Sequence, residues 1–311
     1  MSFVRGIGSA LLFISLCLGS GGCLKRVLID GQVNATLEGS EAINTLHDYD
    51  IARAVAQNGM GQLEGMHHLE PNNTDALFML TRGWSGVAFA FMEDDYETAY
   101  DKGDDALAEY HLARARAAYR RAMHYGVELL GHRAEGFEQA RINTSKLRAW
   151  LAENFKDQDQ AEELLWIGFA HIGLVNVAKD IPEIVSELYI GEEIVRRSVA
   201  LDEKVRDGMG HVILGAYSAR HAMSELDLAK KHFDRAMQIN GGKFLSTQLN
   251  FAKTYYCMKG NRPAYDKLLK EVIGAPDPLP EARLQNTIAK RRARRYLSNK
   301  IWQEECGFHG I

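Results

Sequence analysis

From Asp48 onward the chain repeats apolar residues at steps of three and four. Leu77, Leu80, Trp84, Val87 and Phe91 stack on one face of a 3.6-residue helix. The same spacing predicts helices over about 48–69, 106–130, 145–154, 160–178, 181–201, 205–223, 226–239, 243–258, 261–273 and 280–303. Punctuation agrees with these limits. Pro71-Asn72-Asn73 stops one helix, and Thr74-Asp75 supplies short polar side chains to cap the next. Gly241-Gly242 suits a left-handed helix end, and Pro276, Pro278 and Pro280 mark a linker. Gly59 and Gly61 weaken the middle of the first helix. Segments of alternating Val, Ile and Thr are scarce, which argues against an all-β fold and for an all-α one.

Three helix ends resemble one another: YRRAMHYG at 119–126, VRRSVALD at 195–202 and FDRAMQIN at 233–240. Ala122, Ser198 and Ala236 align. The interval from Ala122 to Ser198 is twice that from Ser198 to Ala236, which is about 38 residues. A regular period in a helical chain implies stacked hairpins in which a small residue lets two helices approach. The pattern is a lengthened tetratricopeptide-like (TPR-like) α-solenoid forming one compact helical body, with Leu226 to Met258 its best copy.

The pattern differs at the N-terminus. Met1 to Arg5 carries one positive charge, Ile7 to Leu18 is apolar, and Gly19-Ser20-Gly21-Gly22 leads to Cys23. About 12 apolar residues are too few to span a bilayer and match a signal-peptide core. The small residues before Cys23 suit a lipoprotein peptidase, although Ser20 stands where such sites usually carry Leu, Val or Ile. An ordinary secretory signal or an uncleaved anchor shares part of the pattern. The expectation is a signal peptide over 1–22, lipidation of Cys23, a tether without clear period over 23–40, a helical domain over 41–303 and a tail over 304–311. Leu24 is not the Asp that retains lipoproteins at the inner membrane, which leans toward the outer one.

Composition adds exclusions. Hydrophobic residues make up 46% and charged residues 25%, as in a globular protein. A net charge of −4 gives no reason to expect nucleic acid. With Cys17 in the signal and Cys23 lipidated, Cys257 and Cys306 remain. In an oxidising compartment they can pair, but the simpler reading is two separate thiols. The acidic stretch 93–105 reads as a solvated loop with a short helix around 96–100, because it lacks the central Gly and closing Glu of a calcium loop. Lys290-Arg291-Arg292-Ala293-Arg294-Arg295 reads as a solvated, partly salt-bridged helix; contact with anionic lipid or an acidic partner are the alternatives.

No catalytic constellation emerges. Gly83-Trp84-Ser85-Gly86 lacks the spacing of a nucleophile elbow, and Ser218 lacks the second Gly. His67 and His68 diverge by about 100° on a helix, so they cannot easily share a metal. Cys306 and His309 have a ligand-like spacing but no further strong ligands. The chain reads as a non-enzyme without cofactor or metal. Its aromatic and histidine residues, Phe89, Phe91, Phe169, His171 and His221 among them, mostly fill core. Trp84, Trp166, His211 and Tyr217 are the candidates for lining a ligand cleft.

Several blocks resemble the T component of tripartite ATP-independent periplasmic (TRAP) transporters, the TatT family. They are Cys23 followed by Leu24-Lys25-Arg26, DYDIARA leading to HHLEPNNTDALFMLTRGWSGVAFAFME, ARARAAYRRAMHYGVELL, ELLWIGFAHIGLVNVAKDIPEI, AKKHFDRAMQINGGK and AKRRARRYL. Their shared order covers nearly all of the chain after Cys23. The resemblance implies a periplasmic, lipid-anchored homotrimer. It would dock a solute-binding subunit and hold or relay a small organic ligand. The alternative is a TPR-type scaffold lipoprotein of envelope assembly with no small ligand.

Overall fold

The computed structural model describes residues 26–220 and 225–308, and no strand occurs among them. Cys23 and its signal, His221 and His309 lie outside the described residues. A helix occupies residues 26–39 (α1), followed by a 3-10 turn, Ser40–Thr45. Helices then run Tyr49–Leu69 (α2), Thr74–Val87 (α3), Glu93–Asp101 (α4), Asp105–Arg133 (α5), Phe137–Ala140 (α6), Thr144–Asn154 (α7) and Gln160–Val177 (α8). Pro182–Val185 (α9), Leu188–Leu201 (α10), Val205–Ala219 (α11), Leu226–Asn240 (α12) and Leu245–Asn250 (α13) follow. The chain closes with Arg262–Gly274 (α14), Arg283–Ser298 (α15) and Lys300–Glu305 (α16). None of these helices is long and apolar enough to cross a membrane.

The helices form as the apolar spacing dictates. Ala122, Ser198 and Ala236 are fully buried where α5, α10 and α12 meet their neighbours, and Ser198 Oγ donates to Ala161 O at 2.6 Å. Consecutive helices pack as an array in the order α3, α5, α8, α10, α11, α12. Helices α8 and α10 approach closely, where Gly168 and Gly191 face each other. A Cβ on Gly168 would lie 2.9 Å from Gly191 O. Gly241 closes α12 with φ +59, the left-handed end its sequence suggests. Helix α3 is capped by Asn73, one residue before the expected Thr74-Asp75.

The array does not end open. Helix α15 returns to pack on α2, α13, α14 and the Ser40–Thr45 turn. Gln285 Nε2 donates to Asn44 Oδ1 at 2.7 Å, and Glu41 receives Arg82 from α3 and Arg206 from the start of α11. Residues 206–208 carry positive φ, so α11 begins with a left-handed turn that Arg206 pins to Glu41 and Glu162.

Three expectations need correction. The supposed tether is helical over 26–39. Val33 is fully buried and Ile29 nearly so, against Met66, Ala76 and Met79, because Ile29, Val33 and Leu37 recur every four residues. The supposed acidic loop is the helix α4. Finally, Cys257 and Cys306 form a disulfide with Cα atoms 4.8 Å apart, because α16 folds back over the end of the helix that carries Cys257.

Candidate functional site

The four candidate ligand residues fall on three helices and are held by different partners. On α3, Trp84 Nε1 donates to Glu64 Oε1 at 2.7 Å. Burial pushes the Glu64 carboxyl up, but Arg121, Tyr125 and Trp84 outweigh it and hold it down to about 2. On α8, Trp166 Nε1 donates to Glu162 Oε1 at 3.1 Å and its ring meets Phe169 edge-on. On α11, His211 Nδ1 lies 2.9 Å from His232 Nδ1 and its Nε2 3.3 Å from Glu203. Tyr217 is half-buried, and both burial and a hydrogen bond to Glu192 raise its phenol.

The densest chemistry lies elsewhere, between α4 and α15. Asp94, Glu97 and Asp101 recur at steps of three and four on α4, and Arg291 and Arg295 recur at a step of four on α15. Arg295 donates to Asp94 Oδ1 at 2.7 Å, to Glu97 Oε2 at 2.6 Å and to Thr98 Oγ1 at 2.8 Å. Arg291 donates to Asp94 Oδ2 at 2.7 Å, which also accepts from Tyr49 Oη at 3.0 Å. Asp94 and Glu97 are 1% and 4% exposed. Burial pushes both carboxyls up, and the surrounding cations overcome it. Glu97, beside Lys253, Arg292 and Arg295, is held at about 2. The period of matching charges was visible in the sequence; the pairing of two segments about 200 residues apart was not.

Two π-helical segments border this network: Ala88–Met92, leading into α4, and Phe251–Tyr256, between α13 and α14. Such wide turns recur at functional sites because they re-aim carbonyls and side chains. Here Phe89 O, in the first, accepts from Arg292 Nη2 at 2.5 Å, while the Arg292 guanidinium covers the Phe89 ring at 4.3 Å. Lys253, in the second, donates to Glu97 Oε1 at 3.1 Å and to Tyr296 Oη at 2.6 Å.

Glu93 and Lys253 flank the network and keep 19% and 37% of their side-chain surface open to water. Burial raises the Glu93 carboxyl against the pull of Arg292 and of Tyr119, whose hydroxyl donates to it. Lys179, in the turn after α8, lies within electrostatic reach of Arg220, Lys253, Glu305 and Glu93. Desolvation, then Arg220 and Lys253, lower its ammonium pKa. Arg220, at the end of α11, has a buried Nη1 without a hydrogen-bond partner. Tyr217 is its one electrostatic neighbour among the sequence candidates. Tyr96 stacks on Tyr100, and Tyr100 meets Trp302. Among the described residues, no group of three or more His, Cys, Asp or Glu side chains is placed to hold a metal ion.

The family model described as the TRAP transporter T-component matches residues 46–301. The chain belongs to the TRAP transporter T-component family. No curated protein matches it. The matched span runs from just before α2 into α16. It includes both π-helical segments and the arginines of the α4–α15 network, whereas α1 and the cysteine at position 23 lie before it. Membership makes the chain an accessory component of a TRAP transporter system.

Proposed function

We propose that this T component is a lipid-anchored protein of the periplasmic side of the envelope that docks the solute-binding subunit of its transporter and holds or relays that subunit's small organic ligand. The family match over 46–301 carries the reading. The Cys257–Cys306 disulfide supports a location outside the cytoplasm, since disulfides persist in oxidising compartments. Ile51 and Val55 on α2 and Leu107 and Tyr110 on α5 are exposed and offer apolar surface for docking or for the homotrimer the family resemblance suggests.

Affinity purification of the native protein from membranes tests the docking. Recovery of a TRAP solute-binding protein is expected. Recovery of envelope-assembly factors alone would replace the proposal with the scaffold reading. Lipidation is tested by a Cys23→Ala variant, expected to move from the membrane to the soluble fraction. Sedimentation tests the trimer, and a monomer at high concentration would remove it.

A further inference from the structure

Exposed apolar side chains gather where α1 begins and α2 ends. Val27 and Leu28, in the first turn of α1, are 67% and 65% exposed, and Leu69, the last residue of α2, is 49% exposed. The two elements are fixed to each other at this corner. Arg26 Nε lies 3.5 Å from Glu70 Oε1, and Asn73 Nδ2 donates to Asp30 Oδ1 at 2.7 Å. Beneath them Ile29 and Val33 pack with Met66. The charges of the corner also answer one another, because Arg26 stands between Glu70 and Asp30, the latter 3.7 Å away. What faces outward is apolar and nearly neutral. Single exposed apolar residues need no explanation, but a group of them on one packed corner marks a contact surface.

We propose that Val27, Leu28 and Leu69 rest on the bilayer that holds the Cys23 lipid, and that this contact sets which way the helical body faces. Chain length carries the argument. Cys23 stands three residues before Arg26, and three residues extend over at most about 11 Å. An acylated cysteine has its chains in the hydrocarbon, beneath a headgroup layer of about 5–8 Å per leaflet. The start of α1 is thereby held at the surface, and Leu69 with it, because α1 is packed on α2. Apolar side chains held there leave water by entering the boundary between headgroups and acyl chains. The neutral charge of the corner makes this contact indifferent to headgroup charge. The basic run 290–295 does not compete for that role, because Arg291 and Arg295 are engaged by Asp94 and Arg292 by Phe89 O. Exposed Ile51, at the other end of α2, lies about 27 Å along the helix from Leu69. The inference rests on the lipid-anchored part of the proposed function and adds the surface of the body that meets the lipid.

Spin labels on single introduced cysteines test it in the acylated protein, reconstituted into phosphatidylcholine vesicles with and without phosphatidylglycerol. Cys257 and Cys306 are held in their disulfide and do not take the label. Leu28→Cys, Leu69→Cys and Ile51→Cys replace exposed side chains, so the fold is kept. Labels at 28 and 69 are expected to meet a water-soluble nickel chelate about threefold less often than the label at 51, and oxygen more often, because the bilayer excludes the chelate and concentrates oxygen. Phosphatidylglycerol should leave this difference unchanged. Adding Cys23→Ala should abolish it. The inference is overturned if labels at 28 and 69 meet the chelate as freely as the label at 51, or if the difference requires phosphatidylglycerol. Shielding from both reagents overturns it too, because protein then covers the corner. Acylation of the wild type is scored separately by mass spectrometry. Acylated protein with water-like labels removes only this inference, whereas a wild type without acyl chains removes the anchor reading and this inference with it.

Discussion

Gly168 shows how little room single residues have here. A Cβ at this position would meet Val195 Cγ2 at 2.6 Å, Gly191 O at 2.9 Å and Val195 N at 3.1 Å. Two of those atoms are backbone of α10, so relief requires moving a helix. Gly168→Ala should therefore cost roughly 1–3 kcal/mol, read as a lowered urea midpoint at unchanged slope. His171 sets a second residue-scale expectation. It is 5% exposed, and burial followed by the charge of Arg141 lowers its imidazole to about 4. The folded protein holds it neutral while the unfolded chain protonates near 6.5, so its contribution is complete above that pH. The contribution fades as pH falls from 6.5 toward 4. Stability at pH 5 should be about 2 kcal/mol lower than at pH 7 from this residue alone. Removing the titrating group by His171→Asn should flatten that part of a urea-midpoint profile; a profile with the wild-type slope would refute the assignment.

At the scale of elements, the helices were legible and the polar contacts between them were not. Helices α2, α5, α7, α8, α12 and α14 start and stop within a few residues of where periodicity and caps place them, because apolar spacing is a local signal. Helix α4 was hidden because its charges looked solvated; their partners come from α15, at the other end of the chain. Lys253 was hidden for the same reason: its partners Glu97 and Tyr296 lie in two other, distant segments. The Leu77–Phe91 spacing predicts one continuous helical face, but the π-helical segment Ala88–Met92 shifts the phase there, and Phe89 lies under Arg292. The α4–α15 seam predicts its own weakness. Arg295→Ala would leave Asp94 and Glu97 buried with fewer cations, a loss of about 3–5 kcal/mol by thermal melting. Arg295→Lys should recover only part, since one ammonium cannot span Asp94, Glu97 and Thr98 as the guanidinium does.

For the whole molecule, what matters is how the array is shut. An open stack of hairpins contacts only its neighbours, but α15 ties the last helices to α2 and the Ser40–Thr45 turn by packing and to α4 through Arg291 and Arg295. The Cys257–Cys306 disulfide then fastens α16 behind it, among Tyr265, Tyr296, Trp302 and Phe308. The bond spans a sequence separation of 49, so the chain-entropy relation assigns it about 4 kcal/mol through restriction of the unfolded chain. Replacing both cysteines with serine should lower the denaturation free energy by up to that amount. Reductant should do the same to wild type and nothing further to the double variant. Hydrogen exchange should then quicken first in α14, α15 and α16. If exchange quickened uniformly along the chain, the closure would not be a separate unit but one part of a single cooperative core.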